Sequence, residues 1–217
     1  MIRNQVAECE RLGVAFEYGV GVWPGLVAER APHHVVIATG AEASRPWWAP
    51  ADATNVVDVR AVLDGSAPDG GPQAGQSVVI VDELGFHHAT SCAEVLADRG
   101  CHVEIVTNGM VVGQDLGVTL DMENWWMRAS AKGIVQSTDL VPMGYADGAL
   151  NLLHHPTGTN HTRTPDWVVL AVPANPVEWL YHDLVAAGVS VQRVGDCVAP
   201  RRAHSAVIDG ERVGSSI

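Results

Sequence analysis

Residues 77–107 combine two strand-like runs with a helical pattern between them, which restricts the fold more than any other part of the chain. Val78–Val81 is a short β-branched run, residues 88–99 have apolar side chains at helical spacing, and His102–Thr107 is a second strand-like run. A strand, a helix and a strand at this spacing are typical of a parallel βαβ unit. The sequence therefore predicts an α/β fold built on a parallel sheet.

The turn between the first strand and the helix lacks the glycines of a dinucleotide-binding fingerprint. Residues 82–87 have the sequence DELGFH, whereas the fingerprint places glycines there so that the backbone can approach a pyrophosphate. Two carboxylates in this turn would repel a diphosphate at close range. The second strand ends in Thr107 and Asn108, where an acidic residue would be needed to hold an adenosine ribose. We therefore predict a Rossmann-like unit for which NAD(P)H is a doubtful ligand.

A second stretch that restricts the fold and the function lies near the end of the chain, where residues 195–201 have the sequence GDCVAPR. They follow a predicted strand at 189–194 and precede a predicted helix at 203–215. A glycine turn with an acidic residue before a helix N-terminus is typical of a ligand-binding corner, in which the carboxylate can hold a sugar or polyol hydroxyl. The alternative role for Asp196 is a helix cap. The upstream run Val35–Gly40, VVIATG, favours the ligand-binding corner.

Composition excludes several classes of protein. Of the 217 residues, 47% are apolar and 18% charged, which is typical of a globular chain with one large or two small domains. The net charge is −12 and the only lysine is Lys132, so we expect neither a nucleic-acid partner nor a membrane partner. We find no apolar run long enough to span a bilayer and no signal-peptide pattern at the start, and we expect a cytoplasmic protein. The four cysteines form no CxxC pair and the histidines no HxxxH pair, so no metal site is predicted.

The chain divides into two predicted domains, one of them discontinuous. Residues 65–75 are rich in glycine, proline and aspartate and predict a linker. We expect residues 1–76 and 189–217 to form the first domain, with residues 77–188 inserted as the second. The first domain would be incomplete, because its opening strand and glycine-rich turn are not in the sequence. The remaining predicted elements are helices at 2–13, 120–132 and 176–187, a turn at 23–25, and strands at 14–22, 33–39, 134–137, 140–145, 150–154 and 167–172, with an antiparallel hairpin among the middle ones.

These motifs resemble the C-terminal part of the 2,4-dienoyl-CoA reductase/trimethylamine dehydrogenase group of old yellow enzyme-related flavoproteins. The resemblance is carried by residues 35–40, 78–100, 113–133 and 195–210. It implies two Rossmann-like, glutathione-reductase-type three-layer domains, the first of them incomplete, together with an antiparallel hairpin. In that family the module follows a barrel that holds FMN and a 4Fe–4S cluster, neither of which is encoded here.

The resemblance also implies roles for individual residues. Thr39 and Gly40 correspond to a loop near the ADP portion of a FAD-type nucleotide. Asp196 corresponds to the residue that bonds the ribityl chain, with Gly195 as its turn and Arg201 in the same cofactor corner. No residue of the chain is predicted to be catalytic.

The resemblance leads to one functional hypothesis and two alternatives. We expect the chain to be a subunit or domain of a flavin-dependent oxidoreductase, with a partial site for FAD or ADP. It would complete or support a partner that holds FMN and a 4Fe–4S cluster. An electron-transfer flavoprotein is a further expected partner. One alternative is a self-sufficient oxidoreductase that binds FAD, ADP or NAD(P)H, and the other is a non-catalytic scaffold. We expect the uncovered half-sheet to meet its partner through Trp47, Trp48, Trp125 and Trp126, although Trp125 and Trp126 are also typical of a core.

Overall fold

The computed structural model describes residues 2–217 and contains two compact units. The first unit combines the residues up to Gly40 with Pro176–Ile217, and the second is Ala41–Asn175. The second unit is therefore an insertion within the first.

The limits of these units differ from the predicted domains. Residues 41–76 belong to the second unit, because the strand Val56–Asp58 pairs in parallel with Trp167–Ala171 in its sheet. Residues 176–188 belong to the first unit, because Leu180 and Leu184 are buried in its core. The boundaries predicted after residues 76 and 188 are corrected accordingly.

The helices and strands have the following bounds. The helices are α1 Ile2–Arg11, α2 Pro24–Arg30, α3 Val59–Asp64, α4 His87–Asp98, α5 Met122–Ala131, α6 Trp179–Ala186 and α7 Ala203–Gly214. The strands are β1 Val35–Ile37, β2 Ala41–Glu42, β3 Val56–Asp58, β4 Ser77–Asp82, β5 His102–Thr107, β6 Val135–Ser137, β7 Leu140–Ala146, β8 Ala149–His154, β9 Thr159–Arg163, β10 Trp167–Ala171, β11 Asn175–Pro176 and β12 Val191–Arg193. None of the helices within residues 2–217 is long and apolar enough to cross a membrane.

The second unit is built on a five-stranded parallel sheet in the order β3–β10–β4–β5–β6. Every residue of the inner strand β10 is buried, as expected for a parallel strand covered on both faces. One face packs against α3, α4 and α5 through side chains such as Leu96 and Trp125. The other face packs against the antiparallel sheet β7–β8–β9 through side chains such as Leu150 and Tyr145. The predicted α/β fold with an antiparallel hairpin is confirmed.

The first unit has a much smaller sheet and core. Its strands β1 and β12 pair in parallel, with Val36 opposite Gln192. The core cluster consists of five buried residues: Val27, Ile37, Leu180, Leu184 and Cys197. Most of the large apolar side chains that remain exposed are also in this unit.

Two predicted elements of the first unit are wrong. Residues 14–22 do not form a strand, because within the described chain they have no ladder partner. The predicted turn at 23–25 is instead the start of α2, since Pro24 occupies the first helical turn, where its missing N–H costs nothing. The helix predicted from Pro176 begins at Trp179.

Candidate functional site

The GDCVAPR stretch forms a tight turn that brings β12 to the start of α7. Gly195–Cys197 is one turn of 3₁₀ helix, and Gly195 has φ +68°. A Cβ at this position would lie 3.2 Å from the Cβ of Ala206 on α7. Glycine is therefore favoured both by the backbone conformation and by the close approach of the helix.

Asp196 closes the loop that leads to α7 and does not cap the helix. Its Oδ1 accepts a hydrogen bond of 3.1 Å from the backbone N–H of Arg201. The N-cap position of α7 is occupied by Arg202, which makes no side-chain capping bond. The helix-cap alternative for Asp196 is therefore wrong, and the half-buried carboxylate lies at the carboxyl end of β12.

Asp209 is a buried acidic residue of this corner that sequence reasoning missed. Its Oδ2 accepts the N–H of Gly195 at 3.2 Å, and the guanidinium groups of Arg201 and Arg212 also donate to it. Burial alone would raise the pKa of Asp209, but the Gly195 N–H and the Arg201 guanidinium outweigh it and leave the pKa below its ordinary value. The only signal in the sequence is an aspartate three positions after Ala206, on the same helix face.

The predicted residues Thr39 and Gly40 lie at the carboxyl end of β1, next to β12. The hydroxyl of Thr39 donates to the carbonyl of Val177, and the carbonyl of Gly40 accepts the N–H of Val177 at 3.0 Å. Gly40 has φ +76°, and a Cβ there would meet no atom within 4 Å. The two predicted motifs thus end at the same edge of the β1–β12 sheet, where Ile37 accepts the N–H of Val194 at 2.9 Å.

Arg201 contributes to the corner mainly through protein contacts. Its backbone N–H donates to Asp196, and its guanidinium donates to Asp209 and to the carbonyl of Ala199. The side chain therefore holds the turn against α7. Its predicted contact with a cofactor stays a prediction.

The DELG turn of the second unit is closed by its own carboxylate. Asp82 is fully buried, and its Oδ1 accepts the N–H groups of Leu84 at 3.0 Å and Gly85 at 2.9 Å. Its Oδ2 is buried without a hydrogen-bond partner in the described structure. Burial is the largest cause that raises the pKa of Asp82 to about 6, and the charges of Glu83 and Asp115 raise it further. The amide groups that could face an anion in this turn therefore bind Asp82.

A second chain segment lies against the same turn. The backbone N–H of Asp115 donates to the carbonyl of Gly85 at 2.9 Å, and a Cβ on Gly85 would lie 3.9 Å from the nitrogen atoms of Gln114 and Asp115. This 3₁₀ segment, Gln114–Thr119, occupies space beside the turn.

The four tryptophans predicted to contact a partner have different environments. Trp125 and Trp48 are 1% and 5% exposed and belong to the core, so the prediction is wrong for them. Trp126 packs partly buried against the core, and Trp47 is 79% exposed. Within residues 2–217 no group of three histidine, cysteine, aspartate or glutamate side chains could hold a metal ion.

The parallel sheet, its covering helices and the antiparallel sheet form a Rossmann-like α/β fold, which confirms the predicted fold class. No protein-family model matches the chain. The chain is 27% identical to an N,N-dimethylglycine/sarcosine dehydrogenase of Chromohalobacter salexigens, over 95% of this chain and 35% of that protein. It is 26% identical to a probable N-methylproline demethylase of Rhizobium meliloti, over 96% of this chain and 34% of that protein.

The chain is also similar in fold to a solved structure. Histamine dehydrogenase from Rhizobium sp. 4-9 superposes with a TM-score of 0.84, over 99% of this chain and 36% of that one, at 21% sequence identity. The chain therefore spans about a third of the length of each of these proteins. Its sequence is similar to those of oxidoreductases, and its fold is shared with a structure of histamine dehydrogenase.

Proposed function

We propose that the chain is the nucleotide-binding side of a flavin-dependent dehydrogenase that oxidises small N-methylated amines. The substrate class is taken from the two relatives, whose names specify dimethylglycine or sarcosine and N-methylproline. The reacting FMN and a 4Fe–4S cluster would lie on a partner segment or subunit, as the resemblance implies. An electron-transfer flavoprotein would be the electron acceptor.

The observation that carries this proposal is the corner at the carboxyl ends of β1 and β12. Parallel strands present their ligand sites at this edge. There the half-buried carboxylate of Asp196 can accept a ribose or ribityl hydroxyl, and Gly40 leaves open space beside the backbone. The N-cap residue of α7 makes no side-chain capping bond, so the N–H groups of Ala203 and His204 can face a carbonyl or phosphate oxygen, whereas that of Ser205 donates to Arg202.

These residues fit the ribose or ribityl part of FAD or ADP. Asp196 and the α7 N-terminus would hold the ligand, while Asp209 and Arg201 keep the turn in place. A bound flavin would supply the capacity to accept electrons from the amine. The chain itself would bind and orient the nucleotide and, as proposed, carry no catalytic residue.

The closed DELG turn supports the proposal that the second unit does not bind NAD(P)H. Its amide groups already bind the Asp82 carboxylate, and Glu83 and Asp115 add negative charge next to it. A pyrophosphate would have to displace Asp82 and overcome this repulsion. This geometry disfavours the self-sufficient NAD(P)H-dependent alternative.

Thermal denaturation of the purified chain with ADP, FAD or NADPH tests both parts of the proposal. We expect ADP and FAD to raise the Tm, because a ligand that binds only the folded state stabilises it. NADPH should not raise it. The Asp196→Ala variant should lose the response to FAD, whereas Asp52→Ala, an exposed carboxylate of the second unit, should keep it.

Other outcomes would contradict specific parts. If neither ADP nor FAD raises the Tm, the nucleotide corner is wrong and the non-catalytic scaffold is favoured. If NADPH stabilises the chain and Asp82→Ala changes that response, the assignment of the second unit is wrong.

A further inference from the structure

A cavity lies at the amino-terminal ends of three strands of the second unit. Its volume is about 490 Å³, and the residues that line it include the first residue of each of β4, β5 and β6, namely Ser77, His102 and Val135. The DELG turn follows the opposite, carboxyl-terminal end of β4. The cavity shares no lining residue with this turn or with the GDCVAPR stretch, so its location differs from both.

One side of the cavity is a row of side chains on a single face of the parallel sheet. Val79 lies opposite Glu104 in the ladder and Glu104 lies opposite Val135, so these three side chains are neighbours on the same face. His102 precedes Glu104 by two residues and therefore shares this face. Arg163, the last residue of β9, reaches across to this row, because its Nε donates to Glu104 at 2.8 Å. The cavity is thus bounded by the parallel sheet and by the end of the antiparallel sheet.

Glu104 is the only acidic residue among those that line the cavity, and its acceptor sites are occupied. Its Oε1 accepts Nε and Nη2 of Arg163 at 3.1 and 3.0 Å and the hydroxyl of Ser137 at 2.6 Å. Its Oε2 accepts Nε of Arg163 at 2.8 Å. A carboxylate has about four lone-pair sites, so Glu104 keeps none for a ligand.

The two basic residues of the cavity, Arg163 and Lys132, keep N–H groups for a ligand. Arg163 uses its Nε and Nη2 for Glu104 and its Nη1 for the carbonyl of Thr162 at 3.3 Å, so one N–H on each Nη remains. Lys132 is paired with Asp98 and has further N–H groups on its ammonium. Because Asp98 is 64% exposed, this pair contributes little and can give way to another anion.

Two further polar side chains of the cavity are without a partner. Within residues 2–217, neither the hydroxyl of Thr164 nor the imidazole of His102 makes a hydrogen bond. A hydroxyl and an imidazole can each donate one. The side chains that line the cavity therefore have more free donors than free acceptors. A ligand that satisfies them must bring acceptor oxygens.

The local charge of the cavity differs from that of the unit around it. Residues 41–175 contain 16 acidic and 6 basic side chains, which gives a net charge of −10. Two of these six basic side chains line the cavity together with a single carboxylate, so the cavity is locally positive. A small anion is attracted at short range, whereas the field of the whole unit disfavours a polyanion.

The rest of the cavity wall is apolar. Val79, Val103 and Pro165 are buried, and Val135 in the middle of the wall is 54% exposed. Ligand cavities commonly combine such apolar walls with a few polar groups that fix the orientation of the ligand. A ligand with an apolar body would cover Val135.

We propose that this cavity binds a small organic phosphate, a class of ligand that goes beyond the proposed function. The three terminal oxygens of a phosphate monoester accept from Lys132, Arg163 and Thr164. A carboxylate has fewer acceptor sites and satisfies fewer of these donors. The organic body lies against Val135.

Isothermal titration calorimetry of the full chain at low ionic strength tests this site with three probes: phenyl phosphate, inorganic phosphate and benzoate. We expect phenyl phosphate to bind with 1:1 stoichiometry and at least about tenfold more tightly than the other two. Inorganic phosphate lacks the apolar body, and benzoate lacks the third terminal oxygen.

The variant Lys132→Gln removes the ammonium and should weaken the binding of phenyl phosphate by at least about tenfold. Arg60→Gln is the matched control, because it removes the same charge from an exposed side chain of the second unit that does not line the cavity. It should leave the affinity unchanged. Thr164→Val removes only the hydroxyl and should weaken binding by about threefold or more. Circular dichroism confirms that each variant is folded.

Four outcomes would overturn the proposal. They are no binding of phenyl phosphate, an equal loss in Lys132→Gln and Arg60→Gln, benzoate or inorganic phosphate that binds as tightly as phenyl phosphate, and binding that is lost in Asp196→Ala but kept in Lys132→Gln. The last result would place the ligand in the nucleotide corner. Lys132→Gln should keep the Tm response to FAD, so failure of this site and failure of the proposed function are distinguishable.

Discussion

The carboxylate of Asp209 accepts the backbone N–H of Gly195 at 3.2 Å and so ties the middle of α7 to the turn after β12. The same carboxylate receives the guanidinium of Arg201, whose backbone N–H in turn holds Asp196. The orientation of Asp196 at the proposed nucleotide corner therefore depends on a residue 13 positions further along the chain.

Asp209→Asn should destabilise the protein more at neutral pH than at low pH. The pKa of Asp209 is below its ordinary value of 3.8, so its stabilisation is present above about pH 4 and is lost as the pH falls through the native pKa. We expect the Tm of Asp209→Asn to be several degrees lower than that of the original chain at pH 7. The difference should become smaller as the pH falls below about 4. A difference of equal size at neutral and at low pH would contradict the ionic contribution.

Asp82→Asn should stabilise the protein at neutral pH, whereas Asp209→Asn destabilises it. The pKa of Asp82 is raised from 3.8 to about 6, so the native state binds this proton more tightly than the unfolded state and stability falls as the pH rises from about 4 to above 6. A shift of two pKa units corresponds to on the order of 3 kcal/mol of unfolding free energy. The variant should be more stable than the original chain at pH 7.5 and similar to it at pH 4. Urea denaturation at the two pH values measures the difference in unfolding free energy. A variant that is less stable than the original chain at pH 7.5 would contradict the raised pKa of Asp82.

Gly195→Ala should cost more stability than Gly188→Ala. Both positions have positive φ, +68° and +74°, so each substitution carries the left-handed conformational cost of about 1–2 kcal/mol. A Cβ at Gly188 meets no atom within 4 Å, whereas at Gly195 it meets Ala206 at 3.2 Å. We expect this crowding to add about 1–3 kcal/mol. Equal losses of unfolding free energy in the two variants would show that α7 can move away from the turn.

The parts of the fold that the sequence predicted are those fixed by local periodicity. The βαβ unit at 77–107 is correct because each strand and the helix between them carries its own pattern of buried residues. The 14–22 segment shows the limit of that method. Its alternation is genuine, yet a strand requires a hydrogen-bonded neighbour, and none is present in the described chain.

The candidate site was predicted only in part for a related reason. Gly195 and Asp196 lie in a recognisable glycine turn, but the partners that shape it come from elsewhere in the sequence. Asp209 is the clearest case, because an aspartate within an amphipathic helix is normally exposed. Its burial depends on three donors that meet only in the folded protein.

Substitution of Trp125 and of Trp47 should distinguish a tryptophan of the core from one that can contact a partner. Trp125 is 1% exposed and its Nε1 donates to the carbonyl of Thr90 at 3.4 Å, so Trp125→Ala should cost about 3–5 kcal/mol of unfolding free energy. Trp47 is 79% exposed, and Trp47→Ala should change stability by no more than about 0.5 kcal/mol.

The same two variants then test which tryptophan touches a partner. If Trp47 contacts one, Trp47→Ala should weaken the complex with the part of the Chromohalobacter salexigens dehydrogenase that lies outside the region matched by this chain, while the Tm of the variant stays unchanged. Trp125→Ala should weaken that complex only at temperatures where the variant itself is unfolding. Loss of the complex in a fully folded Trp125→Ala variant would instead restore this residue as an assembly contact, transmitted through the helix α5 that it anchors.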